Sequence, residues 1–526
     1  MCGILLFNSN VRCQTTAQDV YLEYTEGDDI IKPSGKDAID KIVPYIVARG
    51  PDFSSFRCLK DVNTCWFSSI LSLRQPFTKQ SIVIDGKFVL QFNGELYNNA
   101  IDQNGNDTQY IVQLLSQINV LDKLLSQQQI IDVIRELDGE FAYTISDLVN
   151  EVIYFGRDTI GKRSLSYCTD SETHDLYVAS ITGTTSKDFI NCIGGQIYIF
   201  DIKERNFINT TCTIRNSPYN VTSMIDEDMK GLITITNELF QQLTNAVSKR
   251  ITTIHPTHIE NSPIAVLFSG GLDCSVIVAL ICEELMKIPS NSTVVELLNV
   301  GFENPRTGLQ PAVTPDRKLA VSSAKILKEL YPDVDIRLVE VDVPYKEYLK
   351  VRPNIIDFMY PKNTEMDLSI AIAFYFASRG HGFITKDDGT RYQYNRKGVV
   401  LFSGLGADEL YGGYHKFANK TTPELVEELV RQINNIHDRN LNRDDKVIAE
   451  NGVEVRYPFL DESVLKYSTS LIPINYKINK HILRNVARMK LNLGTIAEEP
   501  KRAIQFGSKS AKMTKDGNKN GTDILK

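Results

Sequence analysis

Residues Pro263–Ile288 read PIAVLFSGGLDCSVIVALICEELMKI, and the fold class follows from that stretch. Pro263–Phe268 is an apolar run of strand length. From Ser275 onward, Val276, Ile277, Ala279, Leu280 and Leu285 have the spacing of a helix packed on a sheet. The elbow between them holds Ser269, Gly270, Gly271, Asp273, Cys274 and Ser275. A helix N-terminus offers N–H groups and a partial positive charge, and glycines let backbone approach phosphate oxygens closely. The unit therefore reads as a phosphate cradle, although an ordinary αβ turn with a hydroxyl cap uses the same residue types.

Around this unit the composition is that of a globular protein: 42% hydrophobic and 23% charged residues in 526. That length divides into two or three domains rather than one core. A net charge of −7 argues against a nucleic-acid or anionic-membrane surface. Apolar runs fall short of a membrane span, and the start lacks a signal-peptide layout, so a cytoplasmic location is expected. Nine scattered cysteines, none spaced C-x-x-C, speak for reduced thiols rather than a disulfide framework or structural zinc.

The heptapeptide SGGLDCS resembles the SGG-x-D-S pyrophosphate loop of N-type ATP pyrophosphatases, most closely that of glutamine-hydrolysing asparagine synthetases. Cys274 stands where the family usually has serine; backbone donors are unaffected by the exchange. Further on, Val294–Gly301 reads as a strand, and Val300-Gly301 resembles the V-G that contacts adenine in that family. Pro315-Asp316 resembles its P-D, with Asp316 equally readable as a helix N-cap. Ser403-Gly404-Leu405-Gly406-Ala407-Asp408-Glu409 follows the strand Gly398–Leu401 and resembles S-G-E-G-S-D-E. Val453–Asp461 resembles V-E-x-R-x-P-F-L-D, and Lys480–Arg484 resembles K-x-I-L-R, whose lysine meets pyrophosphate. The Gln505-Phe506-Gly507-Ser508 ending is the form found in divergent asparagine synthetase domain-containing proteins. Ser508–Lys526 is polar and basic and reads as disordered.

Working back from the loop, His255 and His258 lie in a Pro-containing loop and read as solvated rather than metal-binding. Arg205–Ser223 reads as a linker. Ahead of it, Met1-Cys2-Gly3-Ile4 puts a thiol beside an α-amino group once methionine is removed, and that amine can act as base to its own thiol. A buried inert cysteine is the plain alternative. Arg49-Gly50-Pro51-Asp52, Phe92–Asn98, Gly105-Asn106-Asp107, Leu137–Ala142 and Gly156–Gly161 follow in order. They resemble the R-G-P-D, F-N-G-E-x-Y-N, G-x-D, L-x-G-x-F-A and G-R-D-x-x-G of class II glutamine amidotransferases. Intervening β-rich runs such as Ser81–Phe92 suit two stacked antiparallel sheets.

The resemblance implies an αββα N-terminal-nucleophile glutamine amidotransferase domain over 2–210. A doubly wound α/β ATP-pyrophosphatase domain would follow over 211–507, with the tail 508–526 beyond it. Cys2 would attack glutamine, Asn93 and Gly94 would form the oxyanion hole, Arg49, Glu95 and Asp107 would hold that substrate, and Asp367, in the segment Asn363–Ser369, would lie on the acceptor side. ATP would lie on Leu267, Ser269, Gly270, Gly271, Asp273, Cys274, Ser275, Val300, Ser403 and Gly404, with Mg²⁺ on Asp273 and Asp408 and Lys480 at the leaving group. The implied reaction makes asparagine, glutamate, AMP and pyrophosphate from aspartate, glutamine and ATP. Ammonia would travel through an interior passage from one centre to the other. Small molecules are the implied partners, with no nucleic acid or membrane, and a homodimer is an open expectation.

The pattern breaks at three places. Ile70 stands where H-x-R-L-S has the arginine that pairs with the glutamine α-carboxylate, with Arg74 four residues on. Losing such a contact weakens binding by roughly 1.5–3 kcal/mol. Leu405 replaces the glutamate of S-G-E-G, and Asp367 carries the opposite sign to the arginine of T-T-I-R-A-S. An adenylating enzyme with another carboxylate acceptor, or a degenerate synthetase kept for binding or regulation, are the competing readings.

Overall fold

A computed structural model describes residues 2–9, 19–24, 37–102, 105–185, 187–208, 212–226, 228–255, 262–288, 294–414, 417, 419–513 and 520–525. His258 and the expected boundary at 210–211 lie outside them. The chain forms two compact units: residues 1–217 with 357–362 and 436–453, and the remainder. The first unit therefore recruits two segments from the second half of the sequence.

The first unit is built on antiparallel strands whose inward side chains make one apolar layer. Cys2–Asn8 lies in the middle of a seven-stranded sheet, between Thr64–Ile70 and Leu176–Ala179. A six-stranded sheet includes Phe88–Leu96, Gly139–Asp147 and Val152–Arg157. Ile4, Leu6 and Val178 of the first sheet share a core with Val89, Ala142, Ile153 and Phe155 of the second. The outer face of the second sheet packs Phe88, Leu90 and Phe92 against Ile111, Leu115, Ile130 and Ile134 of the helices Asp107–Ser116 and Lys123–Glu136. The helix Asp37–Arg49 packs on the first sheet so closely that a Cβ on Gly3 would meet Ile46 and Ser69. This is the expected αββα architecture.

The second unit is organised by a sheet in the order Arg391–Asn395, His381–Thr385, Asp335–Val343, Val294–Phe302, Ile264–Leu267, Val400–Phe402, Glu454–Arg456. The last five strands are parallel and the first two form an antiparallel hairpin at the edge. The chain leaves Ile264–Leu267 in one direction through four strands, two parallel and the edge hairpin, then returns to its other side at Val400–Phe402. That reversal is the switch point at which open α/β sheets gather ligands beyond the strands' C-terminal ends. No helix among the described residues is long and apolar enough to cross a membrane.

Two expectations are corrected. Cys58 and Cys65, directly opposite on the strands Phe53–Leu59 and Thr64–Ile70, are joined in a disulfide. Cross-strand register brings together cysteines that sequence spacing did not flag. The described part of 508–526 is ordered: Ser508, Ser510 and Met513 are buried, and the Phe302 N–H donates to the Ser508 carbonyl at 2.9 Å. Its anchors are mainly backbone groups, which polar composition does not reveal.

Candidate functional site

In the first unit, Cys2 opens its strand half-buried, with Asn93 of Phe88–Leu96 beside it. The Cys2 N–H donates to Asn93 Oδ1 at 2.8 Å, and Asn93 Nδ2, fully buried, has no hydrogen-bond partner among the described residues. A buried amide donor left over next to a thiol is what an oxyanion would satisfy. A Cβ on Gly94 would run into the Glu140 carbonyl and Phe141, so this position needs glycine for strand contact. Gln80 completes the surroundings. Its amide bridges Phe92, accepting from the N–H at 2.7 Å and donating to the carbonyl at 2.9 Å, with Nε2 4.0 Å from Cys2 Sγ. No motif marks Gln80, and sequence reasoning missed it.

The expected glutamine contacts are distributed differently. Ile70 is buried and pairs with Cys2 across the sheet. Arg74 does reach the neighbourhood: its Nε bonds Glu95 Oε1, and Nη2 donates to the Leu96 carbonyl at 2.6 Å. Asp107 Oδ2 accepts from the Leu96 N–H at 3.2 Å. Arg74, Glu95 and Asp107 thus converge on the segment that carries Asn93. Arg49 is turned to a supporting part, because it is 0% exposed and its Nη2 bonds Asp445 Oδ2 at 2.8 Å. Its Nε lies 3.5 Å from the Cys2 carbonyl.

In the second unit the helix Leu272–Leu285 begins at Gly271, an N-cap without a side-chain hydrogen bond. Gly270 has φ +82, and a Cβ there would strike Ala320 at 2.5 Å, so glycine is required. The Cys274 thiol bends back to the Gly271 carbonyl at 3.3 Å, and burial raises its pKa. It therefore supports the loop from within. Ser269 Oγ lies 3.7 Å from that sulfur, and Ser275 Oγ donates to the Gly270 carbonyl at 3.5 Å. Leu267 and Val300 are buried at the ends of adjacent strands. On the other side, a Cβ on Gly404 would meet Asp273 at 3.0 Å, and Ser403 Oγ accepts from the Leu405 N–H at 3.2 Å.

Lys480 joins the two elbows. Its Nζ lies 2.6 Å and 2.7 Å from the Asp273 oxygens and 2.5 Å from Asp408 Oδ1. Lys501 binds the other Asp408 oxygen, a role sequence reasoning did not assign. Burial would raise the Asp408 carboxyl, but Lys480 and Lys501 overcome it and hold it near 2. The two carboxylates thus converge on one cation position. Among the described residues no group of three His, Cys, Asp or Glu gathers to hold a metal. Two carboxylates completed by phosphate oxygens and water suit Mg²⁺, which keeps part of its shell from outside the protein.

Asp316 is the second residue of the helix Pro315–Leu330, with Thr314 at the N-cap position, so it is not the cap. It is buried against Gly507, and burial pushes its carboxyl up to about 7, opposed by Arg502 and Lys501. A raised carboxyl means the folded state binds the proton more tightly, so stability falls as pH rises from about 4 to about 7. Asp316→Asn is expected to flatten that decline, read as Tm across the same pH range.

Asp367, the expected acceptor-side residue, has local contacts within its helix. It lies in the first turn of Glu365–Arg379, where its Oδ2 accepts from Thr364 Oγ1 at 2.6 Å and its N–H donates to the same hydroxyl at 3.2 Å. It is a helix-capping partner.

Residues 69–184 match the glutamine amidotransferase domain family, and residues 241–424 and 418–523 match the asparagine synthase family. An asparagine synthetase domain-containing protein of Saccharomyces cerevisiae is 59% identical over 100% of this chain and 99% of its own. Asparagine synthetase domain-containing protein 1 of Mus musculus is 28% identical over 93% of this chain and 96% of its own. The glutamine-hydrolysing asparagine synthetase of Homo sapiens is 27% identical over 89% of this chain and 81% of its own.

Proposed function

Because the chain belongs to the asparagine synthase family and carries a glutamine amidotransferase domain, we propose that it is an ATP-dependent, glutamine-hydrolysing amidotransferase that makes asparagine from aspartate. The observation that carries this reading is the Lys480 ammonium held between Asp273 and Asp408 at the switch point. The backbone N–H groups of Ser269–Gly271 cradle the phosphates, and Leu267, Val300, Ser403 and Gly404 bound the nucleotide. Mg²⁺, when bound, neutralises phosphate charge from Asp273 and Asp408. Lys480 moves onto the departing pyrophosphate as the acceptor carboxylate attacks the α-phosphorus.

At the first centre the Cys2 thiol attacks the glutamine amide carbon and its own amine takes the proton. Asn93 Nδ2 and the Gly94 N–H take the oxyanion, Asp107 binds the substrate ammonium, and Glu95 holds Arg74 in place. Ammonia leaves, and water releases glutamate from the thioester. The ammonia then displaces AMP from the acyl adenylate. The cytoplasm is the expected setting.

The test is pyrophosphate release from Mg-ATP with ammonia, with and without aspartate. Aspartate-dependent release with asparagine formed supports the reading; release indifferent to aspartate overturns it. Cys2→Ala is expected to cut glutamine-dependent turnover by about a hundredfold or more while sparing the ammonia-dependent rate. A second reading, in which the acceptor is a neutral or cationic carboxylate, is favoured by Leu405 and by the acidic start of Glu365–Arg379.

A further inference from the structure

The start of the helix Glu365–Arg379 is covered by the chain's own C-terminal segment. The Glu365 N–H donates to the Asp523 carbonyl at 3.0 Å, and the Met366 N–H donates to the Gly521 carbonyl at 2.9 Å. In return the Leu525 N–H donates to the Asn363 carbonyl at 2.8 Å, and Thr364 bridges Ile524 in antiparallel register. The third first-turn donor, the Asp367 N–H, is held by Thr364 Oγ1. All three first-turn N–H groups therefore have oxygen partners, two of them carbonyls of residues 520–525.

The attachment is shallow. Ile524 is 65% exposed and Met366 43% exposed, so little apolar surface holds the segment down. Its shape is set locally, by the Asp523 N–H to the Asn520 carbonyl at 3.1 Å and the Asn520 N–H to Asp523 Oδ2 at 2.9 Å. Gly521 allows the close pass, since a Cβ there would lie 3.2 Å from Met366 Cβ. Residues 507–513 are anchored separately: Asn304 Nδ2 donates to the Lys509 carbonyl at 3.0 Å and Ser510 Oγ to the Ser369 carbonyl at 2.6 Å. The two pieces are therefore held by different partners.

We propose that Asn520–Leu525 is a displaceable strap over the acceptor end of this helix, its carbonyls standing in for the oxygens of an acidic acceptor. Docked, it withholds the Glu365 and Met366 N–H groups. Lifted, it exposes the two N–H groups as donors for an acceptor oxygen. This rests on the reading of residues 363–369 as the acceptor side of the adenylating site.

The test compares the full chain with one ending at Met513 and with Leu525→Pro, which deletes the donor to Asn363. In the full chain the Glu365 and Met366 amides are expected to be protected from hydrogen exchange. In both variants they should exchange about tenfold faster or more, while the Leu368 amide, bonded to the Thr364 carbonyl within the helix, keeps its rate. The KM for aspartate in pyrophosphate release should fall in both variants. Unchanged exchange at Glu365 and Met366 overturns the strap, as does loss of protection along the whole helix, which would make the segment part of its fold. Unchanged KM with the amides deprotected overturns its effect on the acceptor. Absence of aspartate-dependent release from all three chains counts against the synthetase reading, and exchange alone then decides the strap.

Discussion

Asp445→Ala is expected to destabilise the first unit by about 3–5 kcal/mol, the cost of breaking a buried ion pair from one side. Asp445 is 0% exposed and accepts at one oxygen from Arg49 Nη2 at 2.8 Å and from the Ser164 N–H and hydroxyl at 2.9 Å and 2.7 Å. Arg163 Nη1 lies 3.7 Å from its other oxygen, and Arg163 Nη2 meets Glu140 Oε2 at 3.3 Å. Removing the carboxylate takes the Asp445 partner from both Arg49 and Arg163. Alanine offers neither charge nor acceptor. Equilibrium urea unfolding measures the loss. Arg49→Met combined with Asp445→Leu should recover much of it, because a well-packed apolar pair avoids the desolvation penalty. If Asp445→Ala unfolds like the parent, the network contributes no stability. Burial would raise the Asp445 carboxyl, but Arg49 and Arg163 hold it below its ordinary 3.8, so its contribution stands at neutral pH and disappears in acid.

The same network explains a limit of the sequence. The motif order revealed the αββα unit and the Cys2–Asn93 pair, because short glycine and asparagine motifs report backbone geometry locally. Asp445 lies 396 residues from Arg49, inside a segment bounded on both sides by the second unit. No local pattern announces such a partner, so Arg49 read as a substrate ligand. A fragment ending near residue 210 would lack Asp445 and the segments around it.

The second unit shows the same division. Both glycine elbows, the parallel strands and Lys480 were legible because strand–turn–helix units write themselves into short apolar runs and punctuation. The edge hairpin His381–Thr385 and Arg391–Asn395 was not, being short and largely polar on its outer strand. Cys58 and Cys65 lack any C-x-x-C spacing, yet a hairpin sets them directly opposite. The described part of the tail is held largely by backbone carbonyls and amides, which any polar sequence carries.

Lys480→Ala should lower ammonia-dependent pyrophosphate release by about 10²–10³, the scale of losing one preorganised donor at developing charge. The backbone around Lys480 supports a specific placement. Asn479 and Lys480 both take left-handed conformations, φ 52 and φ 60, which cost energy in residues other than glycine. The Lys480 N–H is held by the Tyr411 carbonyl at 2.9 Å, and Gly413 leaves room that a Cβ would take from Asp408 and the lysine chain. A surface cation needs none of this. Without the ammonium, Asp273 and Asp408 lose the cation between them, with Lys501 left on the far oxygen of Asp408, so their repulsion grows in the free protein. Mg²⁺ should then bind the variant more tightly in the absence of nucleotide, measurable by calorimetry, even as turnover falls. Lys480→Arg separates charge from placement: it keeps the positive charge but cannot fit a planar fork between two carboxylates and Gly413, so turnover should stay low. Full activity in Lys480→Arg would mean that charge alone suffices and that the strained backbone serves the fold rather than the reaction.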